Sequence, residues 1–341
     1  MRESLAANRG ASAVAGDFAV KLPWRRKEVG SGSPGLAEAV SALTTGDGPD
    51  ARGQATARGD EILENSNVET AELGALAKLP PFRPVAISLM RLFDCPDVKT
   101  DEITKLVESD PSLTSELLAV VNSPLFAFRT TVASPEHAIT LLGVERTKSL
   151  AATLAMRSMM QGGPRTPVVR RFWVHSIATA TIAQHFAVFL RVDPQRAYVG
   201  ALLHDLGRLG LLAAHPEEYA AVALSAHEST EDILAAEQAG FGMTHCHAGA
   251  LLAKAWSLPE PLGIIARHHH DSSSDQDVVS LIQLSCRLAD DSMYQAILRR
   301  DIRKPEETIE TYAPTHVREQ LINELETVSG AVIDSIQKLD F

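Results

Sequence analysis

The chain has 341 residues, of which 45% are hydrophobic and 22% are charged, so it can form an apolar core and is not a wholly disordered protein. Its formal net charge of −11 at pH 7 disfavours nucleic acid as a partner, because an acidic surface repels phosphate backbones. No apolar run reaches the roughly 18 residues of a membrane span, and the three scattered cysteines form no disulfide framework, so we expect a cytoplasmic protein without a membrane partner.

The low aromatic content favours helices. Aromatic residues make up only 5% of the chain, so the core must be built from Ala, Leu, Val and Ile. That composition suits close-packed helices better than a β-sandwich. No segment predicts a strand, and apolar residues recur at helical spacing along most of the chain, so we predict an all-α protein.

The N-terminal segment differs from the rest of the chain. Residues 1–57 are rich in Gly, Ala and Ser and show little periodicity, which predicts a disordered tail. Residues 58–78 carry an amphipathic pattern that predicts a linker helix, which Pro80 and Pro81 end. Further helices are predicted at 85–93, 101–108 and 111–122.

Three predicted helix starts share one signature, which is an N-cap residue followed by proline in the first turn. The three pairs are Asp110-Pro111, Ser134-Pro135 and Asp193-Pro194. Gly143 suits the end of the helix that begins after Ser134, because glycine is the usual residue at a helix C-terminus.

The sequence Gly162-Gly163-Pro164 predicts the main internal boundary. It divides residues 79–299 into an N-terminal helical part, 79–163, and a second helical part, 164–299. Residues 300–341 are predicted as a C-terminal helical tail. After the boundary, helices are predicted at 168–190, 195–212, 217–227, 230–240, 245–256, 260–269, 277–299 and 315–338.

The histidines are concentrated in the second part. Ten of the 12 histidines lie between His175 and His270, on several different predicted helices. Helices of one bundle can direct imidazoles and carboxylates into a shared interior, which is how helical metal sites are built. The candidate ligands are His175, His204, Asp205, His245, His268 and His269. The alternative for residues 268–270 is a polar helix end, where a charged histidine complements the helix dipole.

Several motifs in chain order resemble a known family. The stretch Ala201-Leu-Leu-His-Asp-Leu-Gly-Arg-Leu-Gly210 resembles the HD motif of the HD superfamily. More narrowly, residues 79–294 resemble an HDOD domain, the HD-related output domain of bacterial signalling. The further motifs that carry this resemblance are Leu79-Pro-Pro-Phe-Arg-Pro84, Asn122-Ser-Pro-Leu-Phe126, Phe241-Gly-Met-Thr-His245 and Trp256-Ser-Leu-Pro259. The resemblance implies an all-α, HD-like bundle preceded by an N-terminal helical subdomain.

The resemblance also implies a ligand set. Active HD enzymes are metal-dependent phosphohydrolases, in which histidines, the His-Asp pair and a later aspartate bind metal ions that activate water. One register places Asp290 at the position of that later aspartate. The other register, which we favour, places Cys286 there and Asp290 one helical turn later. A thiolate can still bind zinc or iron, so a divalent metal (Fe, Mn or Zn) is the candidate cofactor.

The sequence indicates the function of the protein less directly than its fold. Arg208 stands where hydrolytic relatives usually carry lysine, and it is a candidate phosphate contact. HDOD proteins resemble adaptors more than enzymes, so we expect a regulatory module, either a non-catalytic adaptor with a signalling protein partner or a sensor of a nucleotide or phosphoester ligand. The alternative is a metal-dependent phosphohydrolase or phosphodiesterase. The Gly-Tyr-Pro signature of cyclic-di-GMP hydrolases is absent, which argues against that activity.

Overall fold

The computed structural model describes residues 74–339, except residues 75, 77, 93, 94, 96, 97, 124, 125, 127, 129, 162–165 and 272–276. This part of the chain is helical and contains no strand, which confirms the all-α prediction. The expected disordered tail at 1–57, residues 58–73 of the expected linker helix and the boundary at 162–164 lie outside the described residues. None of the described helices is long and apolar enough to cross a membrane.

The first group of helices encloses a small apolar core. Its helices are α1 (Pro84–Arg91), α2 (Thr100–Glu108), α3 (Pro111–Val121), α4 (Pro135–Leu142) and α5 (Val144–Gln161). Helix α5, which the sequence reasoning did not predict, separates this core from a larger one. Its Leu150 and Leu154 face the small core, and its Met156 and Met159 face the large core.

The structure confirms the three predicted N-caps. The side chains of Asp110, Ser134 and Asp193 each accept hydrogen bonds from backbone N–H groups in the first turn of α3, α4 and the later helix α7 (Pro194–Leu203). These bonds satisfy donors that a helix start leaves without an intrahelical partner. Gly143 ends α4 with a φ of 80°, a left-handed conformation that glycine adopts without steric cost.

The second group of helices surrounds the 21-residue helix α6 (Pro167–Ala187). Helix α6 is buried along most of its length and packs against α7, α13 and α16. The remaining helices are α8 (Leu206–Ala214), α9 (Pro216–Leu224), α10 (Thr230–Phe241), α11 (His245–Ala255), α12 (Glu260–His268), α13 (Asp277–Asp291), α14 (Pro305–Tyr312), α15 (Arg318–Asn323) and α16 (Leu325–Leu339).

The helix predicted at 315–338 is interrupted at Glu324, between α15 and α16. Two other predicted long helices are also wrong in extent. The helix predicted at 195–212 is divided into α7 and α8 by a turn at His204 and Asp205. The helix predicted at 277–299 ends at Asp291, because Met293 has a φ of 74° and a left-handed residue cannot continue a right-handed helix. Apolar spacing continues through both breaks, so periodicity alone did not reveal them.

The residues after 300 belong to the large core. Helices α14 and α16 pack against α13 and α6. Ile309, Leu321 and Val332 are almost fully buried in that core. The predicted C-terminal helical tail therefore packs on α6, which carries His175, and on α13, which carries Cys286.

Candidate metal centre

A cluster of buried histidines lies where several helices of the second group meet. His175 is on α6, His204 and Asp205 form the turn between α7 and α8, His245 begins α11, and His269 follows the last residue of α12. Each of these five residues exposes no more than 3% of its surface. Segments far apart in sequence therefore bring five of the predicted ligands to one place.

The four imidazoles share one hydrogen-bonding arrangement. In each ring Nδ1 contacts an acceptor outside the cluster, and Nε2 points into it. A nitrogen that contacts a carbonyl or carboxylate oxygen carries the proton, so we assign each Nε2 an exposed lone pair. Metal-binding histidines are oriented in this way. The four contacts are His175 to Tyr294 O (2.8 Å), His204 to Ala201 O (2.6 Å), His269 to Ala266 O (2.9 Å) and His245 to Glu237 Oε2 (2.7 Å).

The Nε2 atoms approach each other in pairs. The Nε2 atoms of His175 and His204 are 3.3 Å apart, and those of His245 and His269 are also 3.3 Å apart. Two lone pairs at this distance repel each other and form no hydrogen bond. A tetrahedral ion with metal–nitrogen bonds of about 2.1 Å would separate its nitrogens by about 3.4 Å, which matches both pairs.

Asp205 lies between the two pairs. Its Oδ1 is 3.3 Å from Nε2 of both His245 and His269, and its Oδ2 is 3.6 Å from Nε2 of both His175 and His204. Burial alone would raise the pKa of this carboxyl, but the Arg208 guanidinium beside it holds the pKa well below its usual range. Asp205 is therefore a buried anion that faces both pairs.

The candidate ligands form two groups, and within each the ligand atoms lie within 4.8 Å of one another. We call them the acid group and the thiol group. The acid group is Asp205, His245, His269 and His270, and the thiol group is His175, His204 and Cys286.

Unpartnered atoms occur in the acid group. Asp205 Oδ1 and His270 Nε2 are buried and have no hydrogen-bond partner among the described residues. A buried polar atom without a partner costs about 1–3 kcal/mol. A bound cation would satisfy both atoms, so the residues present fit a divalent metal.

The protonation states also suit metal binding. Burial, more than any neighbouring charge, lowers the pKa of His204 and His270 well below the usual value. The pKa of His245 is lowered as well, first by burial and then by the nearby Arg208. These imidazoles are neutral at pH 7, which is the form that binds metal ions.

Arg208 is part of a buried network beside the acid group. Its Nε donates to Asp205 Oδ2 at 2.7 Å, and its Nη1 donates to Glu237 Oε1 at 3.3 Å. The hydroxyl of Tyr219 also donates to Glu237 Oε1, at 2.7 Å. Burial would raise the pKa of Glu237, but His245 and Arg208 hold it at about 2. In the structure the guanidinium of Arg208 is already paired with two carboxylates, those of Asp205 and Glu237. The predicted contact between Arg208 and a phosphate stays a prediction.

Glu237 is the functional residue that sequence reasoning left without a role. It accepts hydrogen bonds from both the backbone N–H and the Nδ1 of His245, so it orients that ring. Glu237 lies near the end of α10, and His245 begins α11. The short connection between the two helices is the one signal in the sequence that would have paired them.

The structure corrects the placement of His268. Its side chain is 47% exposed, and its Nδ1 contacts Asp271 Oδ2 at 2.7 Å, away from the cluster. Helix α12 ends at His268, and the turn that follows directs His269 and His270 inward. His270 therefore lies in the cluster at the place that we predicted for His268.

The structure also distinguishes Cys286 from Asp290. The sulfur of Cys286 lies 3.6 Å from His175 Nε2, on the side of the ring that faces the cluster. Asp290 Oδ1 lies 3.3 Å from Nδ1 of the same ring, on the opposite side, and its Oδ2 faces Arg299. Asp290 is thus outside both ligand groups, which corrects its inclusion among the candidate ligands. It lies one helical turn beyond Cys286 on α13.

Comparison with solved structures shows the same fold in other proteins. An HDOD domain protein with unknown function from Geobacter sulfurreducens has a TM-score of 0.68 at 20% identity, covering 82% of this chain and 99% of that one. A provisionally named phosphohydrolase from Shewanella amazonensis SB2B has a TM-score of 0.59 at 19% identity, covering 79% and 98%. A provisionally named signal transduction protein from Marinobacter aquaeolei VT8 has a TM-score of 0.57 at 20% identity, covering 88% and 64%.

Comparison of sequences identifies the family. An uncharacterised protein from Treponema pallidum (strain Nichols) is 24% identical over 195 residues, which are 57% of this chain and 38% of that protein. The aligned region therefore spans well under half the length of this relative. A sequence profile of the HDOD domain matches residues 79–272, which is more than half of the chain and includes both ligand groups except Cys286. On this match, the chain belongs to the HDOD domain family.

Proposed function

We propose that this chain is a regulatory HDOD module of bacterial signalling, acting in the cytoplasm, whose histidine centre binds divalent metal ions as part of the folded structure. The observation that carries the metal part is the arrangement of the four Nε2 atoms. The Nε2 atoms lie 3.3 Å apart within each of two pairs. The Nδ1 of every ring contacts an oxygen acceptor outside the cluster. Iron, manganese and zinc all accept imidazole and carboxylate ligands of this kind.

The regulatory part rests on burial. Asp205, His245 and Cys286 expose 3%, 0% and 2% of their surface, and among the members of the two ligand groups His270 alone is partly exposed. The thiol group is therefore closed to a substrate, and most of the acid group is enclosed as well. Arg208 is equally buried and already paired with two carboxylates. Catalytic metal sites keep an open coordination position, whereas structural sites are closed by protein ligands. One relative of the same fold is provisionally named a signal transduction protein, which agrees with a signalling protein as partner.

A second candidate function is metal-dependent phosphoester hydrolysis. It is favoured by the position of Asp205, whose two oxygens face different ligand groups, as in sites where one carboxylate serves two metals. Bound divalent ions would supply Lewis acidity and an activated water. Arg208 would contact a substrate phosphate only after releasing Asp205 or Glu237. In a variant of this alternative, the protein is a sensor that binds a nucleotide in the same place and does not hydrolyse it.

Metal content tests the first part of the proposal. Full-length protein purified without a tag should contain one to two equivalents of iron, manganese or zinc by mass spectrometry, one for each ligand group. His204→Ala removes one Nε2 from the thiol group and should lose metal while keeping its helical circular dichroism. His137→Ala, at an exposed position on α4, is the matched control and should keep the metal. Metal-free wild-type protein would overturn the proposal.

Turnover separates the two functions. The metal-loaded protein is incubated with a phosphodiester reporter, bis-para-nitrophenyl phosphate, and with nucleotides. The regulatory proposal expects no hydrolysis above that of His204→Ala. Hydrolysis that disappears in His204→Ala would support the phosphohydrolase instead, and thermal stabilisation by a nucleotide without hydrolysis would support the sensor.

A further inference from the structure

The two ligand groups differ in their chemistry. The acid group offers one carboxylate oxygen and three imidazole nitrogens, whereas the thiol group offers two imidazole nitrogens and the sulfur of Cys286. Cys286, His175 and His204 expose 2%, 1% and 0% of their surface, so the sulfur and both nitrogens meet in a closed interior. Soft sulfur ligands select different metal ions from hard oxygen ligands. The two groups are therefore not equivalent sites.

The distances within the thiol group fit one coordination geometry. A tetrahedral ion with bonds of about 2.1 Å to nitrogen and about 2.3 Å to sulfur separates two nitrogens by about 3.4 Å and a nitrogen from a sulfur by about 3.6 Å. The Nε2 atoms of His175 and His204 are 3.3 Å apart, and the Cys286 sulfur is 3.6 Å from His175 Nε2. Both distances agree with the tetrahedral values.

Asp205 is positioned to supply a fourth ligand. Its Oδ2 lies 3.6 Å from Nε2 of both His175 and His204, close to the spacing that a fourth ligand would have. The same oxygen accepts a hydrogen bond from Arg208 Nε at 2.7 Å, and a carboxylate oxygen has a second lone pair for an ion. Four protein ligands leave no position for water or substrate.

Asp290 does not compete with Cys286 for this position. The carboxylate contacts Nδ1 of His175 and faces Arg299, so it lies on the far side of the ring from His204. Asp290 supports the orientation of His175 together with the backbone oxygen of Tyr294. The ligand on the near side is sulfur.

We propose that the thiol group is a closed tetrahedral site for a thiophilic divalent ion, with Zn²⁺ preferred over Mn²⁺, in which Cys286 binds as the thiolate and Asp205 Oδ2 is the fourth ligand. This inference rests on the metal-binding part of the proposed function and adds the identity of the ion and the closure of the site. Binding displaces the thiol proton of Cys286, which is released to solvent. The site then stabilises the packing of α6 on α13 and leaves substrate chemistry, if any, to the acid group.

Cobalt reports the sulfur ligand directly. Full-length protein freed of metal by a chelator is titrated with Co²⁺ under reducing conditions, and its absorption is recorded. The wild type should show a thiolate-to-cobalt charge-transfer band in the near ultraviolet. Cys286→Ser should lose the band. Cys246→Ser is the matched control, since Cys246 is also buried but belongs to neither ligand group, and it should keep the band.

Ion preference is measured by competition between Zn²⁺ and Mn²⁺. Cys286→Asp replaces sulfur by oxygen and should lower the preference for zinc by roughly tenfold or more, the size of effect that changes around a metal ligand produce. An unchanged preference would overturn the inference.

The remaining outcomes are distinct. Cobalt bound without a thiolate band, or a band that disappears only in Cys246→Ser, overturns this inference and leaves the proposed function standing. No cobalt binding at all overturns both. If Cys286→Ser fails to fold by circular dichroism, X-ray absorption of the cobalt-loaded wild type decides, because a sulfur neighbour at about 2.3 Å is then required.

Discussion

The small apolar core between α1 and α5 and the histidine centre between α6 and α13 are both buried, but different forces hold them. Leu113, Leu117 and Ile103 in the small core are apolar, and their removal from water contributes about 25 cal/mol per Å² of buried surface. In the histidine centre, Asp205 and Arg208 are charged, and their burial is unfavourable unless each has a partner.

This difference determines what each region tolerates. The small core depends on the volume of its side chains, so shape changes reduce stability and leave chemistry unaffected. The histidine centre depends on particular pairs of atoms, such as Arg208 with Asp205 and Glu237 with His245. A change of one atom there alters charge or ligation at nearly constant volume. Substitutions in the two regions should therefore separate stability from metal binding.

The largest expected effect is that of Gly207→Ala, at the contact between α8 and α11. A methyl group on Gly207 would overlap the carbonyl oxygen of His245 and lie 2.5 Å from the backbone nitrogen of Gly249. Backbone atoms cannot move aside as a flexible side chain does, so α11 must shift and carry His245 away from Asp205. We expect a loss of more than about 4 kcal/mol in the free energy of unfolding, with loss of bound metal.

Urea unfolding and metal analysis on the same preparation test this prediction. Gly240→Ala, within α10, is the matched control, because no atom lies within 4 Å of the methyl group that it would introduce. It should raise stability by about 0.5–1 kcal/mol, since alanine favours the helix more than glycine does. A Gly207→Ala protein with wild-type stability and metal content would show that α8 and α11 are not in this close contact.

The second effect is that of Leu117→Ala in the small core. Leu117 exposes 1% of its surface, and its truncation should cost about 2–5 kcal/mol in the free energy of unfolding. Metal content should not change, because α3 contributes no residue to either ligand group. Urea unfolding and mass spectrometry provide the two readouts. Leu141→Ala, at a position 40% exposed on α4, should cost far less, and metal loss in Leu117→Ala would show that the regions are coupled.

The same contrast explains what the sequence reveals. The small core follows from local signals: Asp110 and Ser134 cap their helices, Gly143 ends one, and apolar spacing defines the inward faces. Five of the buried candidate ligands were also named from the sequence, because the histidines are concentrated on several predicted helices and the resemblance to HDOD domains includes the same positions. The sequence reasoning included His268 and left out His270, because the choice depends on the residue at which α12 ends.

The contact of Glu237 with His245 and the end of α13 do not follow from the apolar spacing. Both depend on backbone turns that a periodic apolar pattern does not record, such as the left-handed Met293. Spatial partners of buried charges, such as Arg208 for Glu237, become visible only when the helices are packed.

The smallest expected effect is the pH dependence that Glu237 contributes. Its pKa is lowered from 4.5 to about 2 in the folded protein, since His245 and Arg208 offset its burial. A lowered folded-state pKa contributes stability that is fully present above the unfolded value and is lost as pH falls through 4.5 towards 2. Glu237→Gln cannot titrate. The difference in free energy of unfolding between wild type and Glu237→Gln should therefore shrink with acid, by at most about 1.4 kcal/mol per pH unit.

Urea unfolding of chelator-treated protein, from about pH 6 to about pH 3, gives this difference directly. Titrating groups that do not contact Glu237, such as His204, occur in both proteins and largely cancel when the two are subtracted. His245 contacts Glu237, so its titration forms part of the measured difference. Glu310→Gln, at an exposed position on α14, should differ from wild type by a small amount that hardly changes with pH. A difference for Glu237→Gln that stays constant down to the lowest pH would mean that Glu237 is not a buried anion. An uncharged Glu237 would not orient His245 as a buried anion does, and the contrast between an apolar core and a charged one would no longer apply to this contact.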